Sequence, residues 1–167
     1  MDNLLKIALI GEYRVGKTKI TIRFVDRVFS HDPNSTIWGS FGKRKILVND
    51  HQVTIEIWDT AGEEKYNYYN LSPLKRVDGL VLVYKVSSRK SFEGIINILS
   101  LLIKSEVKKP TILVGTKIDL ENREVTYQEA QKYAESKGFL FSEVCSETNE
   151  NIDETFASLA KRILKME

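Results

Sequence analysis

Three features of this 167-residue chain predict an α/β fold with a six-stranded, mostly parallel sheet. Short apolar runs alternate along the sequence with stretches of helical period. Several of those runs are almost continuously hydrophobic, as parallel strands covered on both faces are. A glycine-bounded loop, GEYRVGKT at 11–18, joins the first apolar run directly to a helical stretch. Strands alternating with helices build βαβ units with right-handed crossovers, which place helices on both faces of the sheet.

In chain order, LKIALI (5–10) is the first strand and 17–27 the first helix. FGKRKILV (41–48) and VTIEIW (53–58) flank Asn49-Asp50, a turn signal, so the run at 41–48 is antiparallel to its neighbour. Val53, Ile55 and Ile57 share one face of the third strand; Thr54 and Glu56 share the other. GLVLVYKV (79–86) and TILVGT (111–116) are buried strands separated by a helix at 91–104. The pattern Thr126-x-x-Glu129 is a capping box opening a helix at 127–136; FLFSEV (139–144) and a helix at 151–165 complete the chain. Both histidines, His31 and His51, fall in predicted loops and read as ordinary surface residues.

The length suits one domain over 1–167 with a full core. Apolar residues make up 42% and charged residues 29%, a globular and not a disordered balance. A net charge of +2, with basic residues only in pairs and triplets, argues against a nucleic-acid surface. The single cysteine, Cys145, cannot form an internal disulfide, so a reducing compartment and a cytoplasmic location are expected. No segment approaches the ~20 apolar residues of a membrane span. The terminus LAKRILKME lacks a prenylation cysteine, so no direct membrane anchor is expected in this chain. A tail or partner outside it would have to supply one for peripheral attachment.

GEYRVGKT matches G-x-x-x-x-G-K-[ST] between a predicted strand and a predicted helix, the context that gives this pattern meaning. By chance it arises in roughly one chain in a hundred of this length. Its backbone N–H groups, from Gly11 through Tyr13, Arg14, Val15 and Gly16, can wrap phosphates, because glycine permits the dihedrals and the close approach. Lys17 would reach the β- and γ-phosphates, Thr18 would hold Mg²⁺, and the helix contributes its positive end. Further on, VGTKIDL (114–120) ends a buried strand. Asp119 could accept from the N1–H and 2-amino group of guanine; adenine has neither donor and would leave a buried carboxylate unpaired, at a cost of at least ~1–3 kcal/mol. Lys117 would lay its stem over the base.

On these motifs the sequence resembles the Ras superfamily of small GTPases over essentially its whole length. The resemblance implies a P-loop NTPase G domain, with about five helices flanking the sheet, that binds GTP or GDP with Mg²⁺. It assigns Thr36 to Mg²⁺ and the γ-phosphate, Asp59 of Asp59-Thr60-Ala61-Gly62 to the neighbourhood of Mg²⁺, and the Gly62 N–H to the γ-phosphate. Phe29 matches an aromatic edge against the base; Thr116 precedes the base-reading pair; Cys145-Ser146-Glu147 occupies the segment whose backbone contacts the guanine oxygen. The stretches STIWGSF (35–41) and IWDTAGEE (57–64) look most like Rab proteins, with Rho-like features at Thr116 and Cys145-Ser146. A Rab-like resemblance also implies vesicle trafficking, a monomer, and effector and exchange-factor proteins binding through residues 30–41 and 59–76.

Departures from that pattern carry the sharper expectations. Glu63 stands where the family uses a glutamine to orient the attacking water, and Tyr13 where it prefers a small residue beside the γ-phosphate. A carboxylate accepts from water but cannot donate to a phosphate oxygen, and it adds like-charge repulsion of roughly 1–4 kcal/mol at 4 Å. As the better proton acceptor it also pulls the other way, so Glu63 alone leaves the sign open and Tyr13 tilts the balance. A phenol at Tyr13 would crowd that water and block an activator's arginine, worth ~10³–10⁵ in rate. With Glu63, Thr36 and Lys17 as the catalytic set, GTP hydrolysis to GDP and phosphate is expected to be slow and resistant to activators. If both side chains turn to solvent, this effect vanishes. Phe41 and Trp58 match two members of an effector-facing aromatic trio, but Pro73 stands at the third; Trp38 is unusual in the first switch. A non-enzymatic module that holds GTP or GDP is the alternative reading, and an unrelated P-loop ATPase or kinase is opposed by Asp119, Thr36 and Asp59.

Overall fold

The computed structural model of the chain describes residues 3–12, 14–26, 41–59, 71–116 and 122–166. Six strands form one sheet: β1 (Asn3–Ile10), β2 (Phe41–Val48), β3 (His51–Asp59), β4 (Gly79–Lys85), β5 (Thr111–Thr116) and β6 (Leu140–Val144). They lie in the order β2-β3-β1-β4-β5-β6, and every neighbouring pair is parallel except β2 with β3. Four α-helices are described, α1 (Lys17–Asp26), α2 (Arg89–Lys104), α3 (Tyr127–Lys137) and α4 (Ile152–Leu164), with a short 3-10 helix at Ser72–Arg76.

The one antiparallel pair follows from Asn49 and Asp50, whose φ angles are 49° and 66°. A two-residue turn left-handed at both positions matches the twist of the flanking strands, and Asn and Asp tolerate that region. The turn is so tight that His51, expected in a loop, is instead the exposed first residue of β3, opposite Val48. The antiparallel register also places Lys43 opposite Glu56. Glu56 is buried on the strand's polar face, accepting from Trp58 Nε1 at 2.8 Å, with Lys43 Nζ 3.5 Å away.

Two apolar layers sandwich the sheet. Leu5, Ile7 and Leu9 of β1 and Val53, Ile55 and Ile57 of β3 pack beneath α1 and α4, where the rings of Phe24 and Phe156 lie 4.1 Å apart. On the other face Ala8, Leu80, Leu82 and Tyr84 pack against Phe92, Ile95 and Ile98 of α2 and Ala130 and Ala134 of α3. Gly79–Tyr84 and all of β5 are buried, which is why both strands read as unbroken apolar runs. The capping box forms: Thr126 Oγ1 accepts from the Glu129 N–H at 3.1 Å. Arg89, reaching over from α2, takes the Glu129 carboxylate in two bonds of 2.8 and 2.6 Å. That pairing, with the Thr126 amide, holds the Glu129 carboxyl below its usual range.

Candidate nucleotide-binding site

The five parallel strands present their carboxyl ends along one edge of the sheet, and the loop at 11–16 leaves β1 near its middle. Crossovers on either side of β1 turn in opposite directions there, the position where open α/β sheets bind ligands. Both glycines of the loop are required by the backbone. A Cβ on Gly11 would overlap the Val83 carbonyl oxygen, and Gly16 has φ of 109°. α1 then opens at Lys17 with no acidic residue in its first turn, so its positive end is left for an anion.

Lys17, only 5% exposed, sits inside the curl of the loop and donates from Nζ to the carbonyls of Gly11 at 2.6 Å and Glu12 at 3.0 Å. Next to it, Thr18 Oγ1 donates to Asp59 Oδ2 at 3.0 Å. Among the described residues, the second oxygen of Asp59 is buried without a hydrogen-bond partner. Burial pushes this carboxyl up to about 6, outweighing the Thr18 hydrogen bond and the Lys17 charge, which both lower it. A hydroxyl and a carboxylate with an orphaned oxygen form a hard oxygen donor set, and it fits Mg²⁺. A dication there would relieve the cost of burying the charge.

On the opposite side of the loop, Thr116 Oγ1 donates to Val15 O at 2.8 Å, with Tyr84 O a second acceptor 3.3 Å away. The hydroxyl therefore ties the phosphate loop to the strand end from which residues 117–121 depart. The exit of that segment is fixed as firmly. Arg123 clamps the buried carboxylate of Glu143 through bonds of 2.7 and 2.9 Å and donates to Val125 O at 3.0 Å. Cys145, half-buried, exchanges backbone bonds of 3.1 Å with Glu150. Arg23, in the last turn of α1, donates to Glu147 O at 3.4 Å, which ties the segment after β6 to that helix.

Gly11, Arg14, Val15, Gly16, Lys17, Thr18, Asp59, Thr116, Cys145, Ser146 and Glu147 thus stand around one strand edge, although they are spread over the chain. Tyr13, Phe29, Thr36, Trp38, Gly62, Glu63, Lys117 and Asp119 lie outside the described residues. Sequence reasoning missed two contacts. The Arg123–Glu143 clamp joins residues 20 apart with no local pattern to betray it. Glu12 packs on Gly94 of α2, where a Cβ would collide with its carboxylate. The only hint was a glycine inside an otherwise apolar helical stretch, a sign of close approach.

A glycine loop at the central strand's end, a lysine curled into it, and a threonine–carboxylate pair at its mouth define the phosphate-loop class of nucleotide-binding proteins. The Ras family's sequence model matches residues 6–165. Ras-related protein Rab-2B of Dictyostelium discoideum is 37% identical over 166 residues, covering 98% of this chain and 82% of its own. Ras-related protein Rab-5A of the same organism is 38% identical over 164 residues (96% and 81%), and Ras-related protein Rab-13 of Canis lupus familiaris 36% over 165 residues (98% and 81%). The chain belongs to the Ras family, as a Rab-like small GTPase, the class of guanine-nucleotide switches. Among the described residues, no helix is long and apolar enough to cross a membrane.

Proposed function

We propose that the chain is a single G domain and a Rab-like switch whose GTP state is long-lived. The observation that supports it most is the Thr18–Asp59 pair at the mouth of the phosphate loop, with one carboxylate oxygen left for a cation. In this reading Thr18, Asp59 and Thr36 hold Mg²⁺, which neutralises phosphate charge when bound. Lys17 holds the β- and γ-phosphates, and Asp119 and Lys117 select guanine. The γ-phosphate orders the segments around Thr36 and Gly62, and its loss releases them. Effectors and exchange factors read that difference through residues 30–41 and 59–76 by differential affinity. The protein works as a cytoplasmic monomer, with membrane attachment and any role in vesicle trafficking supplied through partners or a tail.

Slow hydrolysis follows from the chemistry of Tyr13 and Glu63. Single-turnover hydrolysis of GTP-loaded protein tests it, comparing the native chain with Tyr13→Gly combined with Glu63→Gln. The double variant should hydrolyse faster, and an activating protein should accelerate it far more than the native chain. Strong activation of the native chain would refute the reading. A native rate unchanged in the double variant would favour a static GTP-holding module.

A further inference from the structure

Among the described residues, seven other than glycine have φ between 49° and 66°. Asn49, Asp50, Asn149 and Asn151 are of the types that tolerate this region. Glu106 and Lys165 stand at the ends of α2 and α4, where a reversing chain commonly takes up a left-handed residue. Arg14, with φ of 65°, is of neither kind. It is a long cationic side chain, exposed, in the middle of the phosphate loop. Glycine would adopt this backbone without strain, and strain retained at a binding loop points to a use for the side chain.

Its neighbours indicate the use. Val15 is bonded through Thr116 Oγ1 to the end of β5, on the side from which residues 117–121 leave. Gly11 and Glu12, on the other side, hold the Lys17 ammonium. Arg14 therefore stands on the rim of the curl, a second cation at the loop whose amides and lysine take the phosphates. Resting on the guanine-nucleotide reading above, we propose that the Arg14 guanidinium is an electrostatic latch on the phosphates of the bound nucleotide, and that it slows nucleotide release. Because the side chain is exposed, its attraction is screened by salt, unlike that of the buried Lys17.

The test is the release rate of a fluorescent GDP analogue from Mg²⁺-loaded protein chased with excess GDP, at low and high salt. Arg14→Asn keeps tolerance of the left-handed backbone and removes the charge; Arg14→Lys keeps the charge. Asn should release about 1.5- to fivefold faster at low salt, the size of one exposed charge interaction, and Lys should stay near the native rate. The gap should narrow towards 1 M salt, where the screening length is about 3 Å. Melting of the nucleotide-free proteins should show Arg14→Asn at least as stable as native, which separates lost charge from a damaged loop. Release from Arg14→Asn at the native rate overturns the latch while leaving guanine-nucleotide binding intact. Equal acceleration by Asn and Lys, or a gap indifferent to salt, assigns the effect to shape and also overturns it. Failure of the native protein to take up GDP removes both the binding reading and the latch.

Discussion

Asp59 is costly to the empty protein and useful to the loaded one. The residue is 4% exposed, one carboxyl oxygen has no hydrogen-bond partner among the described residues, and burial pushes the carboxyl up to about 6. The folded state therefore holds a proton that the unfolded chain has released, so stability without nucleotide should fall as pH rises from about 4 through 6 and level off above. Asp59→Asn keeps an acceptor for Thr18 and removes the charge. It should stabilise the nucleotide-free protein at pH 7.5 by about 2–3 kcal/mol, and that gain should disappear below pH 4. Denaturant unfolding across pH checks this, and the same variant should lose most of its Mg²⁺ dependence in nucleotide binding. Gly11→Ala places a methyl against the Val83 carbonyl, a backbone atom that cannot swing aside. A loss of more than about 2 kcal/mol, together with weakened GDP uptake, is the expected result of titrating that variant. The phosphate-loop residues from Gly11 to Thr18 were legible because their spacing is local, within one strand–loop–helix unit, whereas Asp59 and Thr116 join them only through the fold. The strain at Arg14 was not, since it depends on a dihedral that the pattern alone does not report.

Elements held by capping and periodicity were the most readable. The boundaries of β2 and β5 coincide with the runs at 41–48 and 111–116. Burial of β5 on both faces follows from an uninterrupted apolar run, and the hairpin follows from Asn49-Asp50. The loop after residue 121 was different. Its anchor is the ion pair between Arg123 and Glu143, whose side chains are 24% and 6% exposed. Removing one partner of such a pair leaves a charge stranded, so Arg123→Met should cost about 3–5 kcal/mol, and adding Glu143→Leu should restore most of it. Thermal unfolding of the single and double variants measures this. If the clamp also positions the base-reading segment, GDP affinity should drop in the single variant even well below its melting temperature.

For the whole molecule, the two apolar layers set a baseline to which ligand adds. Phe24 and Phe156 fill the layer under α1 and α4, and Phe156→Ala should cost about 3–5 kcal/mol without altering the phosphate loop. Mg²⁺ and GDP at a thousand times their dissociation constant should add about 4 kcal/mol. For a domain of this size that is a rise of roughly 8–16 °C in melting temperature, and a chelator should remove much of it. Absence of any rise with GDP, measured beside ATP as a control, would contradict guanine-nucleotide binding by the native chain.

The order of strands and helices, the phosphate loop and the family membership were all carried by local patterns, because apolar period, turn residues and motif spacing act over a few neighbours in sequence. Which loops are fastened to which strand ends was settled by packing. Thr116 reaching Val15, Arg123 holding Glu143, Glu12 lying on Gly94 and Thr18 bonding Asp59 all join segments far apart in the chain. Such contacts arise only when two sandwiched layers bring five strand ends to one edge and remove the water between them.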